Sequence, residues 1–121
     1  IGRFGMNEVR VVLEGFADGS RASGTVTLVR SASGSHCILV DAGDPWNGRE
    51  LVEELEGIGC RPEEVTDVVV THGHSDHCGN LNLFKNARFW MDRDVGIRGE
   101  FDSFHEVIYS SAKTTSKVGK R

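Results

Sequence analysis

The sequence predicts an α/β fold organised round a parallel β-α-β unit, and three observations carry that prediction. Residues 36–40 form an apolar run that stops at Asp41. Residues 47–59 place Leu51, Leu55 and Ile58 on one helical face. Residues 65–71 are rich in β-branched side chains and run straight into His72-Gly73-His74-Ser75-Asp76-His77. A strand, a helix and a second strand in that order cross over onto one sheet. Open sheets of this kind gather ligands beyond the carboxyl ends of their strands, which is where the histidine cluster falls.

In chain order, residues 8–15 alternate loosely, Val9, Val11 and Leu13 opposed to Arg10, Val12 and Glu14, and read as a first strand. Asp18-Gly19-Ser20 and Ala22-Ser23-Gly24 are turn material. Residues 25–30 and 36–40 read as the second and third strands, joined by the small polar residues 31–35. Asp44-Pro45-Trp46-Asn47 ends the third strand, and Asn47 with Glu50 has the spacing of a helix-opening capping box. Glu50, Glu53, Glu54 and Glu56 crowd the helix and read as a solvated face rather than as acid-base pairs. Gly57 and Gly59 stop the helix, Pro62-Glu63-Glu64 turns the chain, and residues 65–71 are the fourth strand. Residues 76–84 predict a short helix whose Leu81, Leu83 and Phe84 pack back, and residues 88–91 predict a fifth strand. Beyond Met91, Asp92, Asp94 and Asp102 lie in polar sequence read as loop, and residues 110–121 have the composition of a disordered basic tail.

Composition narrows the function classes. A chain of 121 residues is one small domain. No apolar run reaches the length of a membrane span, and no basic-then-apolar leader opens the sequence, so a soluble intracellular protein is expected. Three scattered cysteines, Cys37, Cys60 and Cys78, do not make a secreted disulfide framework. The net charge is -4 although Lys113, Lys117, Lys120 and Arg121 stand near the end without an acid among them. An acidic body disfavours indiscriminate nucleic-acid binding, which depends on Lys and Arg against phosphate.

The histidine cluster is where the chemistry collects. Residues two apart on a chain still extended beyond its strand point the same way, so His72 and His74 can share one ion. Gly73 between them is expected to let the backbone turn tightly. Asp76 and His77 follow the bend, and a carboxylate beside imidazoles suits a borderline cation such as Zn²⁺ better than Mg²⁺ or Ca²⁺. Asp41 ends its strand beside the same edge, where it is equally well a plain turn aspartate before Gly43. His36, at the far end of that strand, reads as a surface histidine, and Cys78 as a small packing residue. His105 is separated from the cluster by indeterminate sequence and is given little weight as a ligand.

Thr71-His72-Gly73-His74-Ser75-Asp76-His77, preceded by Val40-Asp41-Ala42-Gly43 one helix earlier, resembles the signature of the metallo-β-lactamase superfamily, and the likeness runs from about Glu8 to Trp90. The resemblance implies a metallo-β-lactamase-like αβ/βα sandwich, of which this chain would supply mainly the N-terminal β-layer and helices. Residues 8–109 would be that part of the domain and residues 110–121 the tail. It also implies two zinc ions, His72 and His74 holding one, Asp76 and His77 the other, with a hydroxide between them. Asp76 would further orient that hydroxide or relay its proton, and Asp41 would support the loop from behind. The remaining ligands would lie downstream, and with residue one an isoleucine the chain is expected to be a truncated half that holds metal weakly. For the whole protein the resemblance implies a hydrolase of nucleus and cytosol, first an endoribonuclease acting at histone pre-mRNA 3′ ends. RNA is then the expected partner, with no membrane partner and a homodimer as the assembly considered. A glyoxalase II-like thioesterase, an amide hydrolase and a noncatalytic fragment are the alternatives.

Overall fold

A computed structural model describes residues 6–103. In chain order the elements are β1 (Glu8–Leu13), the two-residue strands β2 (Phe16–Ala17) and β3 (Ala22–Ser23), β4 (Val26–Arg30), β5 (Cys37–Val40), helix α1 (Gly48–Gly57), β6 (Asp67–Val69), the single-turn helix α2 (Ser75–Cys78), β7 (Arg88–Met91), β8 (Asp94–Ile97) and β9 (Glu100–Ser103). Short 3₁₀ turns occupy Pro62–Glu64 and Leu81–Leu83. Among the described residues one seven-stranded sheet has the order β1-β4-β5-β6-β7-β8-β9, and β2 and β3 form a separate hairpin. Strands β5, β6 and β7 are parallel, and their other neighbours pair antiparallel. The mixed α/β architecture is the one the sequence predicts.

Apolar alternation fixes which face is buried. The registers Leu28↔Leu39, Leu39↔Val68 and Val68↔Phe89 align one row of side chains across four strands. Leu51 and Leu55 of α1 and Phe84 close over that row with no exposed surface. Each buried leucine contributes about 2 kcal/mol from area removed from water. At the helix end the Cys60 and Gly59 amides bond the carbonyls of Leu55 and Glu56, and Gly59 adopts φ 80°, the left-handed turn that glycine tolerates.

Several expectations are corrected. Residues 8–15 do not alternate throughout: a bulge between Val11 and Leu13 turns both Val12 and Leu13 inward and leaves Val9 and Val11 exposed. Ala22 and Ser23 form strand rather than turn. Asn47 precedes α1 but makes no side-chain cap bond, because its Oδ1 accepts the Asp44 amide at 3.0 Å. The helix expected over 76–84 breaks at Gly79, whose backbone is pressed against Asp44 and Pro45 so closely that a Cβ would lie 2.4 Å from them. Among the described residues beyond Met91, Asp94 and Asp102 lie in strands β8 and β9 rather than in loop, while Asp92 is in a turn. Asp92 at φ 52° sits in the first turn, and Arg98 and Gly99 at φ 48° and 87° make a left-handed two-residue turn between β8 and β9. His105 and the expected tail over 110–121 lie outside the described residues.

Candidate metal centre

The histidine loop begins where β6 stops. Val70 still donates its amide to the Trp90 carbonyl of β7 at 3.0 Å, after which Thr71 turns the chain out of the sheet. Beside it β5 ends at Asp41, whose amide bonds the Val69 carbonyl and whose backbone then swings to φ 66°. That left-handed geometry is uncommon outside glycine, and aspartate is among the side chains that tolerate it best. It turns the carboxylate under the loop, where only 4% of the residue remains exposed.

A buried carboxylate needs hydrogen bonds to replace its water, and the loop supplies them. Asp41 Oδ1 accepts the Thr71 amide at 2.8 Å. The Thr71 hydroxyl reaches both carboxylate oxygens at 3.1 and 2.9 Å, and His77 Nδ1 lies 2.6 Å from Oδ2. These contacts fix the tautomers of two imidazoles. An ionised carboxylate only accepts, so neutral His77 carries its proton on Nδ1 and leaves a lone pair on Nε2. Thr71 has one hydroxyl proton and gives it to Asp41. Its oxygen therefore accepts from His72 Nδ1, 3.0 Å away, and His72 also leaves Nε2 free. One buried aspartate thus leaves two ring nitrogens with free lone pairs, the first directly and the second through a threonine.

The rest of the loop is held from three sides. The Ala42 amide bonds the His77 carbonyl and the Gly79 amide bonds the Gly43 carbonyl, both at 2.8 Å. The His77 amide and the Cys78 thiol both donate to the His74 carbonyl, so Cys78 closes the turn while its side chain packs against the core. From β3 the chain passes Gly24, where a Cβ would stand 2.7 Å from the Asp76 carbonyl oxygen and 2.8 Å from His77 Cε1. Gly73, by contrast, meets nothing within 4 Å and is not among the positive-φ glycines.

His72, His74 and His77 converge. The His72 ring centroid lies 4.7 Å from that of His74 and 4.1 Å from that of His77, and Asp76 Oδ2 stands 3.5 Å from His77 Nε2. His72 and His74 are exposed, while Asp76 and His77 are half-buried. Among the described residues no group of three or more His, Cys, Asp or Glu side chains is arranged to hold a metal ion. The donor set nevertheless fits a borderline divalent ion: three imidazoles, two with Nε2 lone pairs prepared, and a carboxylate on one loop. Its number is short, since zinc ordinarily takes at least three protein ligands per ion.

Three contributors are not evident from sequence alone. Thr71 carries the relay to His72. Gly24 makes room for the loop from a distant strand. Asn80 is buried and spans the carbonyls of Ala42 and Asp44 with its amide. Only Thr71 has a sequence signal, its place between the strand and the first histidine. Asp44 is also buried, bonded through one oxygen by the Ser23 hydroxyl, while Oδ1 has no partner among the described residues. It borders a cleft of about 580 Å³ formed with Phe16, Arg21, Trp46 and Glu50, which no motif histidine lines. His36 is exposed at the opposite end of β5, bonded to the Ser35 hydroxyl, and takes no part.

A sheet that delivers His-x-His-x-Asp-His from the end of a parallel strand onto a buried aspartate defines a class, and the chain belongs to the metallo-beta-lactamase superfamily, whose family model matches residues 19–92. Among individual proteins it is 40% identical over 100 residues to metallo-beta-lactamase domain-containing protein 1 of Xenopus laevis, covering 78% of this chain and 42% of that one. It is likewise 40% identical over 110 residues to the Homo sapiens protein of that name, covering 71% and 41%. Exodeoxyribonuclease WalJ of Streptococcus pneumoniae is 29% identical over 87 residues, covering 64% and 32%. The crystal structure of a presumed metallo-beta-lactamase from Thermotoga maritima superposes with a TM-score of 0.56 at 32% identity, covering 69% of this chain and 42% of that one. The chain therefore spans less than half the length of these relatives.

Proposed function

We propose that the whole protein is a zinc-dependent hydrolase that cuts phosphodiester bonds in RNA, as an endoribonuclease at histone pre-mRNA 3′ ends in nucleus and cytosol. The observation that carries the metal reading is the Asp41–Thr71–His72 and Asp41–His77 pair of contacts, which leaves both Nε2 atoms free to bind. His72, His74, Asp76 and His77 would hold the ions. When bound, such a pair lowers the pKa of water to near neutrality and polarises the scissile group. Asp41 keeps the imidazoles in their ligand tautomers. Asp76, half-buried beside His77, would hold a proton taken from the attacking water, a role that rests on the resemblance. In an acidic protein the local charge of the ions would draw the phosphate.

The choice of RNA rests on the relatives and the resemblance. Two are metallo-beta-lactamase domain-containing proteins at 40% identity, and one bears the name of a nuclease, an enzyme of the same bond class. The Thermotoga maritima neighbour favours an amide-hydrolysing alternative. Incubating the whole protein with a histone pre-mRNA 3′ end, a thioester and a β-lactam, each with and without a chelator, separates the readings. Chelator-sensitive RNA cleavage alone is the expected result. Turnover of only the lactam or the thioester moves the protein to the alternative class, and no turnover at all removes the enzyme reading.

A further inference from the structure

At the other end of β5 from Asp41, two cysteines meet. Cys37 opens the strand and Cys60 follows α1, and their sulfurs lie 3.2 Å apart. Both are buried, Cys37 at 8% and Cys60 at 1% exposure. The surroundings hold this juxtaposition in place. Thr66 bonds the Cys37 amide and carbonyl through its hydroxyl, and Arg30, paired with Cys37 across β4 and β5, grips the Ile58 and Gly59 carbonyls with its guanidinium. A metal held by the two thiolates is disfavoured, since the Arg30 cation acts on them and no third donor joins them among the described residues.

We propose that Cys37 and Cys60 are a reversible oxidation site, closed to a disulfide by hydrogen peroxide and reopened by a dithiol. Bringing the sulfurs to bonding distance takes an approach of only about 1 Å. The hydrogen bond from the Cys37 thiol, with the Arg30 charge adding to it, holds the Cys60 thiol below its ordinary pKa against the opposing effect of burial. The same shared bond, and then burial, push Cys37 up. Either sulfur can be the attacking thiolate, and Cys60 serves as the example. Its sulfur takes one peroxide oxygen as the O–O bond breaks, giving a sulfenic acid, and the other oxygen leaves as water. The Cys37 sulfur then displaces the sulfenic oxygen, which departs as a second water with the Cys37 proton. Two thiols are oxidised and one peroxide is reduced, and a dithiol reverses the bond by exchange. The ring so closed contains β5, Asp41 and α1. The site is separate from the histidine loop by the length of β5, about 13 Å.

The test uses the unaltered chain. After peroxide treatment, quenching and alkylation under denaturing conditions, peptide mapping should find Cys37 joined to Cys60 and Cys78 still alkylated. Dithiothreitol should restore all three thiols, and the oxidised chain should melt about 10 °C higher, as expected for a cross-link closing a loop of this length. Cys60→Ser should abolish the linked peptide. Recovery of Cys37 and Cys60 as free thiols at peroxide doses that oxidise Cys78, or a disulfide involving Cys78 instead, would overturn the proposal. Because the unaltered chain alone yields the map, a folding defect in the variant leaves the result intact.

Discussion

Asp41 meets two demands at once: a left-handed backbone at φ 66° and a side chain with two acceptor oxygens, one for Thr71 and one for His77. Asparagine meets the first and half of the second. In Asp41→Asn the backbone should survive, but the amide nitrogen cannot accept, so His77 or Thr71 loses its partner. Metal affinity is expected to fall about 10–100-fold, the usual effect of removing the group behind a ligating histidine. Competition with a chromophoric chelator measures it, and unchanged affinity would leave Asp41 a simple turn residue. Thr71→Val tests the relay, because it removes the proton handed to Asp41 and the acceptor offered to His72. About a tenfold weaker metal affinity is expected, with Thr71→Ser recovering most of it. That His72 and His74 come together is legible in the sequence, because alternation beyond a strand end turns them the same way, and Asp76 and His77 follow in the same motif. The relay is not, since it depends on Asp41 lying beside Thr71, thirty residues later in the chain.

At the level of elements, the hairpin β2–β3 and the loop of α2 constrain each other through Gly24. A methyl group there would collide with backbone and ring atoms of Asp76 and His77 that have no free end to swing away. Gly24→Ala is expected to cost about 1–3 kcal/mol in a denaturant titration and to weaken metal binding with it. A stability loss with unaltered metal affinity would place the strain elsewhere. The hairpin turn itself hangs on Asp18, whose carboxylate accepts the amides of Ser20 at 3.0 Å and Arg21 at 2.9 Å. Those bonds hold its pKa below the ordinary aspartate value. A group with a depressed folded pKa stabilises above its unfolded pKa and loses that contribution as pH falls through the folded one. The Ser20 and Arg21 amide resonances should therefore shift only in strongly acidic solution, and in Asp18→Asn the shift should vanish. Among the elements, the β-α-β unit is readable from apolar runs and the 3.6-residue period of α1. Strands β8 and β9 are not: each has four residues, and the left-handed turn between them begins at Arg98, an unusual residue for that conformation.

Across the whole molecule, the sheet is covered unevenly. Helix α1, Phe84 and the apolar row from Leu28 to Phe89 fill one face, and no described helix is long and apolar enough to cross a membrane. The opposite face carries Val9 at 67% exposure, Val11 at 61% and Val69 at 36%, with Val29, Ile38 and Val40 half-buried between them. Among the described residues α1 and Phe84 cover only the first face, and the bulge in β1, which changes the side to which Leu13 points, blurs the second in the alternation of residues 8–15. The practical outcome is stickiness. In dilute buffer the isolated chain should light up an environment-sensitive naphthalene dye while fully folded, and a Val9→Thr/Val11→Thr/Val69→Thr triple variant should dim that signal while moving unfolding free energy by no more than about 1 kcal/mol. A dark wild-type sample would mean that these valines find shelter in solution, and anyone crystallising the chain would do well to make the threonine form first.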